Sequence, residues 1–183
     1  MSRIAPLEPP YEPEIQGQFD RIMRRAPPLM LFRVMASNAR AWEKFRAGSL
    51  LDHGPLTLRE REIVIDRTCA LTGCEYEWGV HVAIFAQAAQ LNDAQVRATV
   101  LDGADAPCWS PAERALIGAV DALHVRATLS DSEFKALAAH YDDAKIFEII
   151  LLCGLYRTVS YLANGLDLPL EEKAARFSRA DVK

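Results

Sequence analysis

At four predicted helix starts in this chain a Ser, Thr or Asn is followed three residues later by Glu or Gln. The sites are Thr57-Leu58-Arg59-Glu60, Asn92-Asp93-Ala94-Gln95, Ser110-Pro111-Ala112-Glu113 and Ser130-Asp131-Ser132-Glu133. Each is a capping box, in which two side chains satisfy helix N–H groups that otherwise have no partner. Pro111 falls on a first helical position, where its missing N–H costs nothing. Read as helix starts, these signals predict helices over 57–71, 74–91, 93–101, 111–127, 131–140 and 143–166. No stretch shows the two-residue alternation of a half-buried strand. The predicted fold class is all-α.

Pro6, Pro9, Pro10 and Pro13 predict an extended arm over residues 1–13, because proline lacks a donor and biases the residue before it away from helix. The remaining residues, 14–183, are predicted to form a single helical domain. Its first helices are expected over 14–25 and 29–48, separated by Pro27 and Pro28, and Asp52-His53-Gly54-Pro55 reads as a turn. Half of the 183 residues are hydrophobic, so the core can form without a disulfide or metal staple. The net charge of −4 gives no basic face for nucleic acid, and none is expected as a partner.

The first residues, MSRIAPLEPPYEPE, lack the apolar run of a secretory signal. A cytoplasmic setting is therefore expected, with Cys69, Cys74, Cys108 and Cys153 reduced. Residues 146–163 are the most apolar stretch, but Glu148 and Arg157 lie within it. A soluble helix buried on most sides is expected there, and no membrane partner.

The segment from Glu62 to His81 carries the most chemistry. Gly73 reads as a break between two helices, which puts Cys74 at a helix start, where the dipole favours thiolate. Glu77 and His81 follow three and seven residues later on the same face. A thiol, a carboxylate and an imidazole are costly to bury unless they serve one another. The same spacing also suits a structural Glu77–His81 pair around a buried cysteine, and spacing does not separate the two readings. Arg157, inside the most apolar helix, suits an anionic substrate or an internal ion pair with Glu148 or Asp121. Trp78 reads as core or as a pocket wall beside Glu77. Glu62, Glu77 and His81 lack the spacing of a di-iron site, and no metal or other cofactor is expected. His53 and His140 read as surface residues, whereas His124 is open between surface and site.

Glu62, eleven residues, then Cys74-Glu75-Tyr76-Glu77-Trp78-Gly79-Val80-His81 resembles the carboxymuconolactone decarboxylase family, which includes the AhpD-like alkylhydroperoxidases. Residues 119–124 and 155–164 also look like this family. The peroxidase members carry a second cysteine where this chain has Glu77, and the form here looks like the decarboxylase-like branch. The resemblance implies an AhpD-like, oligomeric helix bundle (dimer, trimer or hexamer) acting on a small molecule. It implies catalytic positions at Glu62, Cys74, Glu77 and His81, and suggests Tyr76, Trp78 and Arg157 as substrate-binding neighbours.

The departure at Glu77 has a chemical consequence. A two-cysteine peroxidase needs a resolving thiol to attack a sulfenic acid. Cys69 would lie about 140° around a continuous helix from Cys74, and only the Gly73 break can bring it nearer. The leading expectation is lyase-type acid–base chemistry on a small carboxylated lactone or a related aromatic-degradation intermediate. The alternatives are a peroxidase using Cys74 and a non-catalytic oligomeric binding protein of the same fold.

Overall fold

The computed structural model describes residues 2–177, and among them there are helices and no strands. In chain order the α-helices are α1 (Pro13–Met23), α2 (Met30–Met35), α3 (Ala39–Ala47), α4 (Leu58–Leu71), α5 (Glu75–Phe85), α6 (Asp93–Val100), α7 (Pro111–Arg126), α8 (Asp131–Ala138) and α9 (Asp143–Gly165). The all-α expectation holds. The last six residues of the predicted 14–183 domain lie outside the described residues.

All four predicted capping boxes form, at Thr57, Asn92, Ser110 and Ser130, each with reciprocal side-chain bonds to the helix start. Two expected helices are shorter than predicted. Residues 29–48 divide at Asn38, whose side chain accepts the Ala41 N–H at 2.9 Å and starts α3. The stretch expected over 74–91 stops at Phe85. There Gln90 turns left-handed (φ 55°) and the Leu91 N–H returns to the Ala86 carbonyl at 2.9 Å. The break at Asn38 places a short polar side chain at a helix cap, where it competes well with the helical ladder.

The proline-rich arm is extended and tied down. The Arg3 N–H bonds the Leu166 carbonyl at 2.8 Å, the Leu7 N–H bonds the Arg33 carbonyl at 3.1 Å, and Arg33 returns a bond to the Leu7 carbonyl.

Helix α4 is the centre of the packing. It touches α5, α6, α7 and α9, and every residue from Glu62 to Cys69 is buried. A helix covered on all sides places its polar residues inside the protein, and α4 carries Glu62, Asp66, Arg67 and Thr68 there. Arg67 is satisfied by Asp121 on α7 (2.6 Å) and by the Thr99 carbonyl on α6 (2.9 Å). Asp121 is thereby engaged by Arg67 and not by Arg157.

Helix α9 corrects the expectation of a helix buried on most sides. It is long and apolar enough to meet a membrane-span criterion, yet only 44% of its apolar window is buried. One face packs Ile149, Leu152, Tyr156, Val159 and Ala163 into the core. The other exposes Phe147 (70%), Leu151 (60%) and Tyr161 (61%).

Candidate functional site

The site is built at the junction of α4 and α5 and closed by α9. Helix α4 ends in a Schellman motif. Gly73 adopts φ 63°, its N–H bonds the Ala70 carbonyl at 3.0 Å, and the Cys74 N–H bonds the Cys69 carbonyl at 2.8 Å. A left-handed residue is required there, and glycine takes that conformation without penalty. Cys74 then becomes the N-cap of α5, which runs back along α4. The predicted break at Gly73 is therefore the element that brings Glu62 and His81 together.

Glu62 and His81 meet at 2.7 Å, carboxylate Oε2 to imidazole Nδ1. The other carboxylate oxygen of Glu62 accepts from Arg61 at 3.1 Å. On the far side of the ring, His81 Nε2 faces the Tyr156 hydroxyl of α9 at 3.0 Å and Glu77 Oε1 at 3.4 Å. Glu62, Glu77, His81 and Tyr156 are all buried. Glu77 Oε2 is buried without a hydrogen-bond partner. Such an orphaned acceptor is costly in a folded protein and marks a place where an incoming donor is welcome.

The electrostatics follow from this packing. Burial by itself would push the His81 pKa down. The hydrogen bonds and charges of Glu62 and Glu77 outweigh that effect and raise it to about 10. His81 is therefore an imidazolium at neutral pH, held between two carboxyl side chains. Burial drives the Tyr156 hydroxyl well above its ordinary value, reinforced by the charges of Glu77 and Glu62, so it stays protonated.

Asp66 lies one turn beyond Glu62 on α4 and is fully buried, with Oδ1 unpartnered. Burial raises its pKa strongly, the nearby Glu62 charge adds to this, and the His81 charge opposes it. Among the described residues, no group of three or more His, Cys, Asp or Glu side chains has an arrangement suited to a metal ion.

The expectation of an activated Cys74 thiolate is corrected. Cys74 sits at the helix start, as predicted, but it is wholly buried. Desolvation pushes the thiol up, and the Glu77 charge pushes it further. The backbone N–H groups of Glu77 and Tyr76 and the Ser160 hydroxyl pull it only part of the way back. Burial outweighs the helix terminus here because the thiolate loses its water entirely, while the terminus supplies only partial charge.

Tyr76, Trp78 and Arg157 are not brought to this cluster. The Tyr76 hydroxyl donates to Glu171 at 2.6 Å and accepts the Leu31 N–H at 3.0 Å, tying α5 to α2 and the C-terminal segment. Trp78 donates to Thr99 at 3.0 Å and packs on Phe177 with ring centroids 4.9 Å apart. It is a core residue on the face of α5 away from Glu77.

Arg157 bonds the Tyr161 hydroxyl at 2.7 Å and the His124 carbonyl at 2.9 Å. It lines a cavity of about 490 Å³ between α7 and α9, together with His124, Thr68 and Cys153. Glu148 instead receives the Leu56 N–H at 3.1 Å. His53 and His140 are exposed, as expected.

Sequence reasoning assigned no role to Asp66, Tyr156 or Ser160. Asp66 carried a usable signal, an acid one turn from Glu62 on the same helix face. For Tyr156 the only signal was a lone hydroxyl in the most apolar helix.

Comparison with known proteins agrees with this fold. Residues 36–122 match the model of the carboxymuconolactone decarboxylase family. No curated protein matches the chain significantly in sequence. Among solved structures, an uncharacterized peroxidase-related protein from Silicibacter sp. TM1040 superposes with a TM-score of 0.82 at 16% identity, covering 93% of this chain and 92% of that one. An uncharacterized peroxidase-related protein from Ralstonia eutropha JMP134, described as an alkylhydroperoxidase AhpD core, gives 0.81 at 19% identity, covering 93% of each chain. A Cys→Ala variant of the debrominase Bmp8 in complex with 2,3,4-tribromopyrrole gives 0.76 at 17% identity, covering 93% of this chain and 92% of that one.

Proposed function

We propose that the chain, whose residues 36–122 match the model of the carboxymuconolactone decarboxylase family, is a member of the carboxymuconolactone decarboxylase/AhpD-like superfamily and an acid–base enzyme of lyase type. Its substrate class is a small carboxylated lactone or a related aromatic-degradation intermediate. The observation that carries this reading is the buried His81 ring, bonded by Glu62 on one side and facing Tyr156 and Glu77 on the other.

Loss of CO₂ from a lactone acid leaves a delocalised carbanion that must take up a proton. His81 supplies that proton from Nε2, the nitrogen turned towards Glu77 and Tyr156. Glu62 fixes the ring through Nδ1 and stabilises its positive charge, so the imidazole is recharged after each turnover. Tyr156 holds the ring edge-on, with centroids 5.1 Å apart. Glu77 completes the acid–base pair. Arg61, beside Glu62, supplies a cation for the substrate carboxylate, a role for which the position of Arg157 is unsuited. Cys74 contributes a neutral thiol to the site.

One test is a pair of assays on purified protein, lactone-acid decarboxylation and hydroperoxide consumption with a dithiol reductant. Decarboxylation that falls at least a hundredfold in His81→Asn and Glu62→Gln supports the reading. Rapid peroxide turnover without decarboxylation overturns it in favour of a Cys74 peroxidase, the reading that the peroxidase-related fold neighbours favour. We further propose self-assembly through the exposed apolar face of α9, in a cytoplasmic, reducing setting.

A further inference from the structure

Arg157 stands on the long apolar helix α9 without an acid to neutralise it. Its Nε donates to the Tyr161 hydroxyl at 2.7 Å, its Nη1 donates to the His124 carbonyl at 2.9 Å, and its guanidinium carbon lies 5.8 Å from the centre of the Tyr161 ring. Both acceptors are uncharged, and among the described residues no carboxylate makes an ion pair with it. Asp121 is held by Arg67 at 2.6 Å, and Glu148 turns to the Leu56 N–H at 3.1 Å. Arg126, the other cation on the cavity between α7 and α9, is matched by Glu133. The cavity therefore carries one uncompensated positive charge, on a guanidinium whose plane is already fixed by two bonds.

Two orphaned polar atoms belong to residues of the same cavity. His124 Nδ1 is buried with no hydrogen-bond partner. Burial and the Arg157 charge lower the His124 pKa against the opposing pull of Asp121, so the ring is neutral at pH 7 and Nδ1 is able to donate or accept. Thr68 of α4 is only 4% exposed, and its Oγ1 has no partner beyond the weak contact of the Cys153 thiol. Buried polar atoms left in this state are costly, and an incoming polar group relieves them. Val120, Leu123 and Ile150 make the rest of the wall apolar. At about 490 Å³ the cavity has the size of a small-molecule site, and none of Glu62, Glu77, His81 and Tyr156 lines it.

We propose that this cavity is a binding site for a small carboxylate with an apolar body the size of an aromatic ring, separate from the His81 cluster. The ligand carboxylate pairs with the unpartnered edge of the Arg157 guanidinium, whose planar fork matches a carboxylate with parallel N–H···O bonds. His124 donates to it through Nδ1. The apolar body lies on Val120, Leu123 and Ile150, and the Thr68 hydroxyl serves a polar substituent on that body. An ammonium ligand is repelled by Arg157, and a purely polar anion leaves the apolar wall uncovered. The inference does not rest on the acid–base reading, since its readout is binding and its probes are not lactones.

The test uses the full chain with ¹³C-labelled isoleucine δ1 methyl groups, titrated separately with benzoate, benzamide and acetate. Benzoate should shift the Ile150 methyl saturably. It should bind at least tenfold more tightly than benzamide, which keeps the ring without the charge, and than acetate, which keeps the charge without the ring. Arg157→Gln should lose the preference for benzoate over benzamide. The proposal is overturned if the Ile150 methyl does not respond, if benzamide or acetate binds as tightly as benzoate, or if Arg157→Gln keeps the preference. Benzoate that binds Arg157→Gln as it binds the parent, but fails to bind His81→Asn, belongs to the His81 cluster and overturns it equally. The three titrations of the parent decide the matter even if a variant fails to fold.

Discussion

Tyr156 and His81 are 75 residues apart in sequence, and the Tyr156 hydroxyl stands 3.0 Å from His81 Nε2. This contact closes a buried line, Arg61–Glu62–His81–Tyr156, that runs across α4, α5 and α9. Three helices meet on one imidazole, and the ring is left with no freedom to turn. A proton donor fixed in this way loses little to reorganisation when it acts.

The His81 charge should be visible in stability as a function of pH. Its folded pKa, about 10, lies above the ordinary unfolded value of about 6.5. The contribution is therefore fully present below about pH 6.5 and is lost as pH rises through about 10. Urea unfolding at pH 6, 8 and 10 should show a steady decline. In Glu62→Gln the carboxylate that holds the proton is gone, so the folded pKa should fall and the His81 part of the decline should be smaller and end at lower pH. A pH profile for Glu62→Gln identical to that of the parent would count against the Glu62–His81 ion pair.

Thiol reactivity should follow burial and not helix position. Cys108 is partly exposed, whereas Cys74 is buried with its pKa raised. Under native conditions at pH 7, iodoacetamide should label Cys108 at least tenfold faster than Cys74, because only thiolate reacts and only exposed sulfur is reached. Mass spectrometry of timed digests measures both rates together. Faster labelling of Cys74 would restore the activated-thiol expectation.

Gly73→Ala should destabilise the protein by about 1–2 kcal/mol, the cost of holding a residue with a Cβ in left-handed backbone. A Cβ at position 73 would meet no atom within 4 Å, so the loss is conformational and not steric. Gly73→Asn should lose less, since asparagine tolerates this region better. Urea midpoints of the two variants compare them directly, and equal losses would point to some other cause.

Assembly through α9 predicts a specific response to charge. Phe147 and Leu151 lie one turn apart on its exposed face. Sedimentation at micromolar concentration should give an oligomer for the parent and a smaller species for Leu151→Glu. A parent that sediments as a 20.4 kDa monomer would rule out the α9 interface.

The helix starts at Thr57, Asn92, Ser110 and Ser130 were legible in the sequence because a capping box is complete within four residues. The break at Gly73 was legible for the same local reason, and with it the shared face of Cys74, Glu77 and His81, whereas Glu62 entered through the family resemblance. The break at Asn38 was missed because a cap without its glutamate partner resembles an ordinary polar position inside a helix.

What only the tertiary structure decided was the surroundings of each side chain. Sequence put Cys74 at a helix start and so favoured a thiolate. Packing against α9 then buried it, and desolvation reversed the sign of the effect. Sequence also offered Arg157 as the substrate cation, but α9 turns Arg157 towards α7 while it turns Tyr156 towards His81. Adjacent residues on a helix point about 100° apart, so their destinations depend on the rotation of α9 about its own axis. That rotation is set by how three helices share one core, a relationship that no local run of residues encodes.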